Sequence, residues 1–233
     1  MELKMIIGIT GKKRSGKDTA AIMLAETLAA RDLKTVHIMK YADALKHAIF
    51  DGINKTRPFE FTFEDIDGAT SYDREEQYFT TVEAIAICKQ ANRYLELPYS
   101  MDEVVHEFFV ERDESFYGNP TFYSVRELLQ YYGTEIVRNK HDDNFWVNST
   151  IKKALEISDL NTHVIITDVR FDNEIKVIQE NNGKVFSIVR DSANMESDSH
   201  ISESGISDYQ SVLFIENNDT LDDLRNIIQT MEV

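Results

Sequence analysis

The chain has 233 residues, one cysteine and a formal net charge of −16, with 41 Asp and Glu against 25 Lys and Arg. That length fits one large domain or a domain carrying an insertion, and 42% hydrophobic and 10% aromatic residues exclude wholesale disorder. Cys88 alone excludes a disulfide scaffold and a four-cysteine zinc site, no apolar run approaches the roughly 20 residues of a membrane span, and the acidity argues against non-specific nucleic-acid binding, which neutralises phosphates with Lys and Arg.

The first residues, MELKMIIGIT, lack a basic leader and a cleavage-like site, so no secretory signal is expected and a cytoplasmic protein is the expectation. Met5–Thr10 is a β-branched run and predicts the first strand. Ile22, Ala25, Leu28 and Ala29 stand at helical spacing and predict a helix over Thr19–Arg31. Thr35–Met39 predicts a second strand and Ala42–Phe50 a short helix. The next stretch breaks the alternation: all three prolines (Pro58, Pro98, Pro120) fall in it, among helical segments such as Thr81–Leu95, which opens with a T-T-V-E capping box. Ser124–Lys140 predicts one long helix opened by S-V-R-E. Gly133 interrupts it at a cost of about 1 kcal/mol against Ala, so the helix either breaks there or has something close to its backbone.

The alternation then resumes. His163–Thr167 predicts a strand, and Asn173–Asn181 a helix closed by Asn182-Gly183. Val185–Val189 and Ser211–Ile215 predict two more strands, and a T-L-D-D box at Thr220 opens the last helix. Strands alternating with helices imply a parallel sheet clad on both faces. The expectation is an α/β protein with a five-stranded parallel sheet, built from residues 1–51 and 124–233. Residues 52–123 form a mostly helical insertion, a substrate-binding or lid region.

Charge is uneven along the chain. Residues 1–60 carry 11 basic and 7 acidic side chains, 61–123 carry 4 and 14, 124–190 carry 9 and 10, and 191–233 carry 1 and 10. A site for a polyanion should therefore draw on the first and third blocks.

The strongest local signal is Gly11-Lys-Lys-Arg-Ser-Gly16-Lys17-Asp18-Thr19, a G-x-x-x-x-G-K loop between a strand and a helix. Its glycines permit backbone angles that other residues resist, so amides can point inward around an anion. The helix start adds about half a positive charge, and Lys17 brings a full one to β- and γ-phosphates. Where such loops carry Ser or Thr for Mg²⁺, this chain has Asp18, followed by Thr19. Asp18 is either a helix-start acid or a group that helps hold Mg²⁺, directly or through water.

The stretch R-S-G-K-D-T resembles the loop of bacteriophage deoxynucleoside monophosphate kinases, and further blocks follow in the same order. Tyr72-Asp-Arg74-Glu75 is similar to that family's Y-D-R-E. Ser124-Val-Arg126, Leu129-Gln130 and Gly133-Thr134, then Phe145-Trp146-Val147, are similar to its S-V-R-x-L-x-Q-x-x-G-T and W-V. Asp168-Val-Arg170 with Glu174 resembles D-x-R-x-x-x-E, and His200-Ile-Ser-Glu203-Ser-Gly205 resembles H-I-T-E-x-G. The resemblance covers most of the chain and implies a P-loop kinase three-layer fold. It implies transfer of the ATP γ-phosphate to a deoxynucleoside monophosphate with Mg²⁺ as cofactor, in host cytoplasm if the source is viral. It implies small-molecule nucleotides as partners, with neither nucleic-acid polymer nor membrane, and it leaves a homodimer open.

The resemblance also assigns roles. Gly11, Arg14, Ser15, Gly16, Lys17, Asp18, Thr19, Gly133 and Thr134 are assigned to ATP. Lys13, Leu45, Lys46, Arg74, Arg126, Trp146, Asp168, Arg170 and Glu174 are assigned to the acceptor. Lys17, Arg126, Asp168 and Arg170 are the catalytic set, and Asp18 and Asp168 the Mg²⁺ groups. Structural alternatives stand beside these. Arg74 and Arg126 could be ion-paired, Glu174 could bridge Arg170 at i, i+4, and Trp146 could be core instead of a stacking surface for the base. Animal-type phosphomevalonate kinases carry a similar loop and D-x-R block but are shorter, and the inserted middle with Y-D-R-E favours the nucleotide kinase. A P-loop switch that only binds and slowly hydrolyses ATP is the alternative from another class, but the one D-x-x-G segment after the second strand, Asp65 to Gly68, lies in the acidic insertion. The presence together of Lys17, Arg126, Asp168 and Arg170 argues against a dead homologue.

Overall fold

The computed structural model of the protein describes residues 5–12, 14–113, 121–158, 161–191 and 212–231. In chain order the elements are β1 (Ile6–Thr10), α1 (Lys17–Asp32), β2 (Thr35–Met39), α2 (Asp43–Thr56), α3 (Phe63–Asp67), β3 (Phe79–Thr80), α4 (Thr81–Tyr94) and α5 (Met101–Glu111). There follow β4 (Phe122–Tyr123), α6 (Val125–Gln130), a π-helix (Tyr131–His141), α7 (Phe145–Ile157), β5 (Thr162–Ile166), α8 (Asp172–Glu180), β6 (Lys184–Val189), β7 (Leu213–Glu216) and α9 (Leu221–Thr230). They divide into two compact units, residues 1–41 with 147–233, and residues 42–146. Among the described residues no helix is long and apolar enough to cross a membrane.

The first unit holds a five-stranded sheet in the order β2-β5-β1-β6-β7, all neighbours parallel. Period two sends successive side chains to opposite faces. Ile6, Val164 and Ile166 therefore join Val147, Ile151, Ile175 and Ile178 in one core cluster. Ile7, Ile9 and Ile165 join Leu24, Leu28, Leu224 and Ile228 in another. Both faces of the sheet are thus covered by helices, and β1 and β5 are buried throughout, as parallel strands clad on two sides must be. The five predicted strands and the three-layer α/β class are observed. The last strand begins at Leu213, and Ser211, its expected start, lies outside the described residues.

The second unit is helical, with one short antiparallel pair, Phe79 opposite Tyr123 and Thr80 opposite Phe122. Ile53, Phe79, Ile87, Phe109, Leu128 and Tyr132 are fully buried in its core. The predicted capping boxes form: Thr80 with Glu83 opens α4 and Ser124 with Glu127 opens α6. The unit runs over Ala42–Trp146 where the sequence drew a segment of 52–123. The physical reason is that α2, α6 and the π-helix turn Ala48, Ile49, Ile53, Leu128, Ile136 and Val137 into this same core.

The predicted helix over Ser124–Lys140 does not break at Gly133. It rewinds from α to π at Tyr131. A Cβ at Gly133 would lie 2.5 Å from Leu45 Cδ2, so the close approach that the glycine permits is made by Leu45 of α2.

Candidate active site

The loop between β1 and α1 is held in left-handed turns. Gly11 has φ 141°, Arg14 φ 63° and Gly16 φ 95°, angles that favour glycine strongly and that Arg14 adopts at a cost. A Cβ on Gly11 would meet the Ile188 carbonyl oxygen at 2.4 Å and Ser15 Oγ at 2.8 Å. The Ser15 amide donates to the Lys12 carbonyl at 3.1 Å. Lys17 curls back, and its ammonium donates to the carbonyls of Gly11 (2.6 Å) and Lys12 (2.7 Å). Ser15 is 1% exposed, yet its Oγ has no hydrogen-bond partner among the described residues. Such an atom calls for a ligand or water to satisfy it. Asp18 and Thr19 stand exposed in the first turn of α1. Lys13 lies outside the described residues, as do His200 and Glu203.

One residue at this loop was not foreseen. Asn217, directly after β7, donates from Nδ2 to the Ser15 carbonyl at 2.8 Å, although 202 positions separate them. Nothing near Asn217 in sequence signals this. The one available cue was its place at the carboxyl end of a parallel strand, where ligands collect in such sheets.

Asp168 follows β5 at the same carboxyl edge of the sheet as the loop. Its Oδ1 accepts the Tyr41 backbone N–H at 2.6 Å. Glu174, 4% exposed, accepts from the backbone N–H groups of Arg170 (2.6 Å) and Phe171 (3.1 Å) through Oε2. It thereby fixes the start of α8 and the chain direction at Arg170. The i, i+4 spacing thus brings the Glu174 carboxylate onto the Arg170 backbone N–H. The Tyr41 hydroxyl donates to the Glu174 carbonyl at 3.3 Å. Burial first, then the charges of Glu174 and Asp168, push that phenol well above its ordinary value, so it stays neutral.

The second unit gathers three of the predicted cations. Lys46 Nζ lies 2.6 Å from Asp67 Oδ1, with the lysine side chain 13% exposed. Arg74 Nη1 donates to the carbonyls of Ile66 (3.1 Å) and Asp67 (3.2 Å), at the C-terminal end of α3, where a cation is favoured. Gly68 leaves room for it, because a Cβ there would lie 2.6 Å from Arg74 Cζ. The Arg126 amide donates to the Arg74 carbonyl at 2.9 Å, and Arg126 Nη1 lies 3.3 Å from Glu75. Lys46, Arg74 and Arg126, distant in sequence, are thus joined in one chain of contacts. Trp146 is 9% exposed and edge-on to Phe145 at 4.9 Å, and its Nε1 donates to the Gly133 carbonyl at 2.8 Å. It is a core residue that holds the π-helix, and Thr134 follows half-buried on that helix.

No group of three or more His, Cys, Asp or Glu able to hold a metal occurs among the described residues. Mg²⁺ that arrives with nucleotide phosphates and keeps several waters needs no such group.

A parallel sheet in the order β2-β5-β1-β6-β7, with a G-x-x-x-x-G-K loop leading from its central strand into α1, defines an α/β protein of the P-loop kinase fold. Residues 4–228 match the family described as deoxynucleotide monophosphate kinase, and the chain belongs to that family. It is 30% identical over 235 residues to the deoxynucleotide monophosphate kinase of Enterobacteria phage T4, covering 94% of this chain and 95% of the relative. It is 27% identical over 248 residues to that of Escherichia phage RB69, covering 96% and 98%.

Proposed function

We propose that the protein transfers the γ-phosphoryl group of ATP to a deoxynucleoside 5′-monophosphate, namely dGMP, dTMP or a dCMP derivative. The products are ADP and the deoxynucleoside diphosphate, a precursor for DNA replication. The observation that carries this is the loop, in which a buried, unpartnered Ser15 Oγ and a lysine resting on carbonyls await an anion. Donor phosphates satisfy Ser15 and draw Lys17 off the carbonyls of Gly11 and Lys12. The amides of Gly16 and its neighbours, with Arg14 and Thr19, complete the donor set, while Lys13 serves the acceptor phosphate. Mg²⁺, when bound with ATP, offsets charge on the donor phosphates, and Asp18 and Asp168 would hold it through water.

Acceptor phosphate is taken by Lys46, Arg74 and Arg126, whose present partners are carboxylates and carbonyls that a dianion can replace. Arg126 and Arg170 offset charge that builds on the transferring group. Glu174 acts through the backbone of Arg170. Trp146, Leu45, Gly133 and Thr134 act by shaping the π-helix. A homodimer without a nucleic-acid partner, working in host cytoplasm, belongs to the same proposal.

A coupled ADP-release assay tests the reading. Turnover with at least one of dGMP, dTMP and dCMP is expected. No turnover with any of them, together with turnover on phosphomevalonate, would assign the protein to the shorter relatives instead.

A further inference from the structure

We infer that Asn217 is a positioning residue for the donor nucleotide, which locks the peptide between Ser15 and Gly16 so that the Gly16 amide faces the bound phosphates. The inference rests on the donor-loop reading above and adds to it a residue outside the loop.

Four observations carry it. Asn217 is 7% exposed and donates from Nδ2 to the Ser15 carbonyl at 2.8 Å. Its own backbone N–H donates to the Val189 carbonyl at 2.8 Å, so the residue is anchored to the end of β6. A Cβ at Gly16 would lie 2.4 Å from that same Nδ2. Gly11, at the other end of the loop, faces the Ile188 carbonyl at 2.4 Å from its missing Cβ. Both loop glycines are therefore pressed against the β6–β7 edge. Gly16 is required twice over, by its φ of 95° and by the amide of Asn217 above it.

Peptide planarity turns this contact into a functional one. In a trans peptide the C=O of one residue and the N–H of the next point in opposite directions. Holding the Ser15 carbonyl toward Asn217 therefore aims the Gly16 N–H away from Asn217. That N–H is among the orphan donors ahead of α1 that make a helix start bind anions. Without the asparagine, the Ser15–Gly16 peptide can flip with little resistance, because glycine tolerates both signs of φ. A flip would present a carbonyl oxygen where phosphate has to sit. The side-chain amide must also be oriented with nitrogen inward, since its oxygen would face the Ser15 oxygen.

The test uses the intact protein and three variants, Asn217→Ala, Asn217→Asp and Lys17→Ala. MgADP affinity is read by calorimetry, and KM for ATP and for the acceptor by steady-state kinetics. Asn217→Asp keeps size and loses the donor. If the hydrogen bond matters, Asp should weaken MgADP binding at least as much as Ala, each by about tenfold or more, with KM for the acceptor within twofold of wild type. Were Asn217 only a packing residue, Asp would bind MgADP like wild type, and Ala would lower the melting temperature without changing the ratio of the two KM values. Either result would overturn the inference. If Lys17→Ala loses MgADP binding while both Asn217 variants keep it, the donor-loop reading stands and this inference alone falls. If wild type does not bind MgADP, both fall together.

Discussion

Lys17 shows what a single residue in this loop can be asked to do. Its ammonium makes two short bonds to carbonyls of its own loop, a local contact that contributes little to the unit's core. Replacing it should therefore remove a charge used in the transition state and leave the fold in place. Lys17→Ala is expected to cut turnover by about a thousandfold or more, in the range of lost transition-state donors, with the melting temperature nearly unchanged. Activity within a few-fold of wild type would show that the loop does no phosphoryl transfer. Lys17 was legible because the chemistry of the loop is written in consecutive residues. Asn217 and Tyr41 were not, because their partners at Ser15 and Asp168 lie 202 and 127 positions away. At Glu174 the spacing suggested an ion pair with the Arg170 side chain, and its carboxylate accepts the backbone N–H groups of Arg170 and Phe171, which the spacing did not announce. A charge four residues from another can serve a helix start as readily as it serves a side chain, and spacing alone does not separate the two.

Among the elements, α2 and α4 make the contact most sensitive to a single atom. Gly52 lies in mid-helix, where Ala would ordinarily gain about 1 kcal/mol. Here an added Cβ would stand 2.4 Å from the Ile87 carbonyl oxygen and 3.0 Å from its carbon. Backbone cannot rotate out of the way as a side chain can, so the packing cost should outweigh the propensity gain. Gly52→Ala is expected to lose about 1–3 kcal/mol in urea unfolding, and a stabilised variant would refute the packing reading. The strands of the sheet were readable because short β-branched runs between turn residues fit little else. The capping boxes at Thr80 and Ser124 were readable because they are four-residue signals. The π-helix was not, since the hydrophobic pattern of Tyr132, Ile136 and Val137 suits either winding and i→i+5 bonding leaves no sequence mark of its own. Helix α7 is absent from the predicted elements for another reason. Val147, Thr150 and Ile151 are β-branched and weak helix formers, and burial against the sheet overrides that preference.

For the whole molecule the decisive property is charge, and it bears first on pH. Asp32 is held below the usual carboxylate range by its bond to Arg31, with His163 adding. Asp65 is lowered by Thr70 and Thr62. Glu83 is lowered although burial opposes it, through Thr80 and then Arg57. Groups whose folded pKa is depressed stabilise the fold above their unfolded pKa and lose that contribution as pH falls through the folded value. Unfolding midpoints should thus be level from about pH 8 to 5 and fall below about pH 4, and a fall beginning near pH 6 would point to a histidine instead.

Charge bears next on which polyanions reach the site. The net −16 is concentrated in residues 61–123 and 191–233, which carry 24 acids and 5 bases, while residues 1–60 carry 11 bases and 7 acids. On the proposed function a nucleotide calls on the cations of the loop or on Lys46, Arg74 and Arg126. Duplex DNA, with about one charge per 1.7 Å of axis, is expected to be repelled by the acidic segments as well. Those segments act over about 30 Å at 0.01 M salt but only about 10 Å at 0.1 M, so repulsion of the polymer is greatest when salt is low. Duplex DNA added at 0.01 M salt should leave KM for ATP within twofold, whereas inorganic pyrophosphate, small enough to use the loop alone, should compete with ATP. Inhibition by DNA that fades as salt is raised would mean that the cations form a continuous basic track, and the acidic segments would then have no part in excluding polymers.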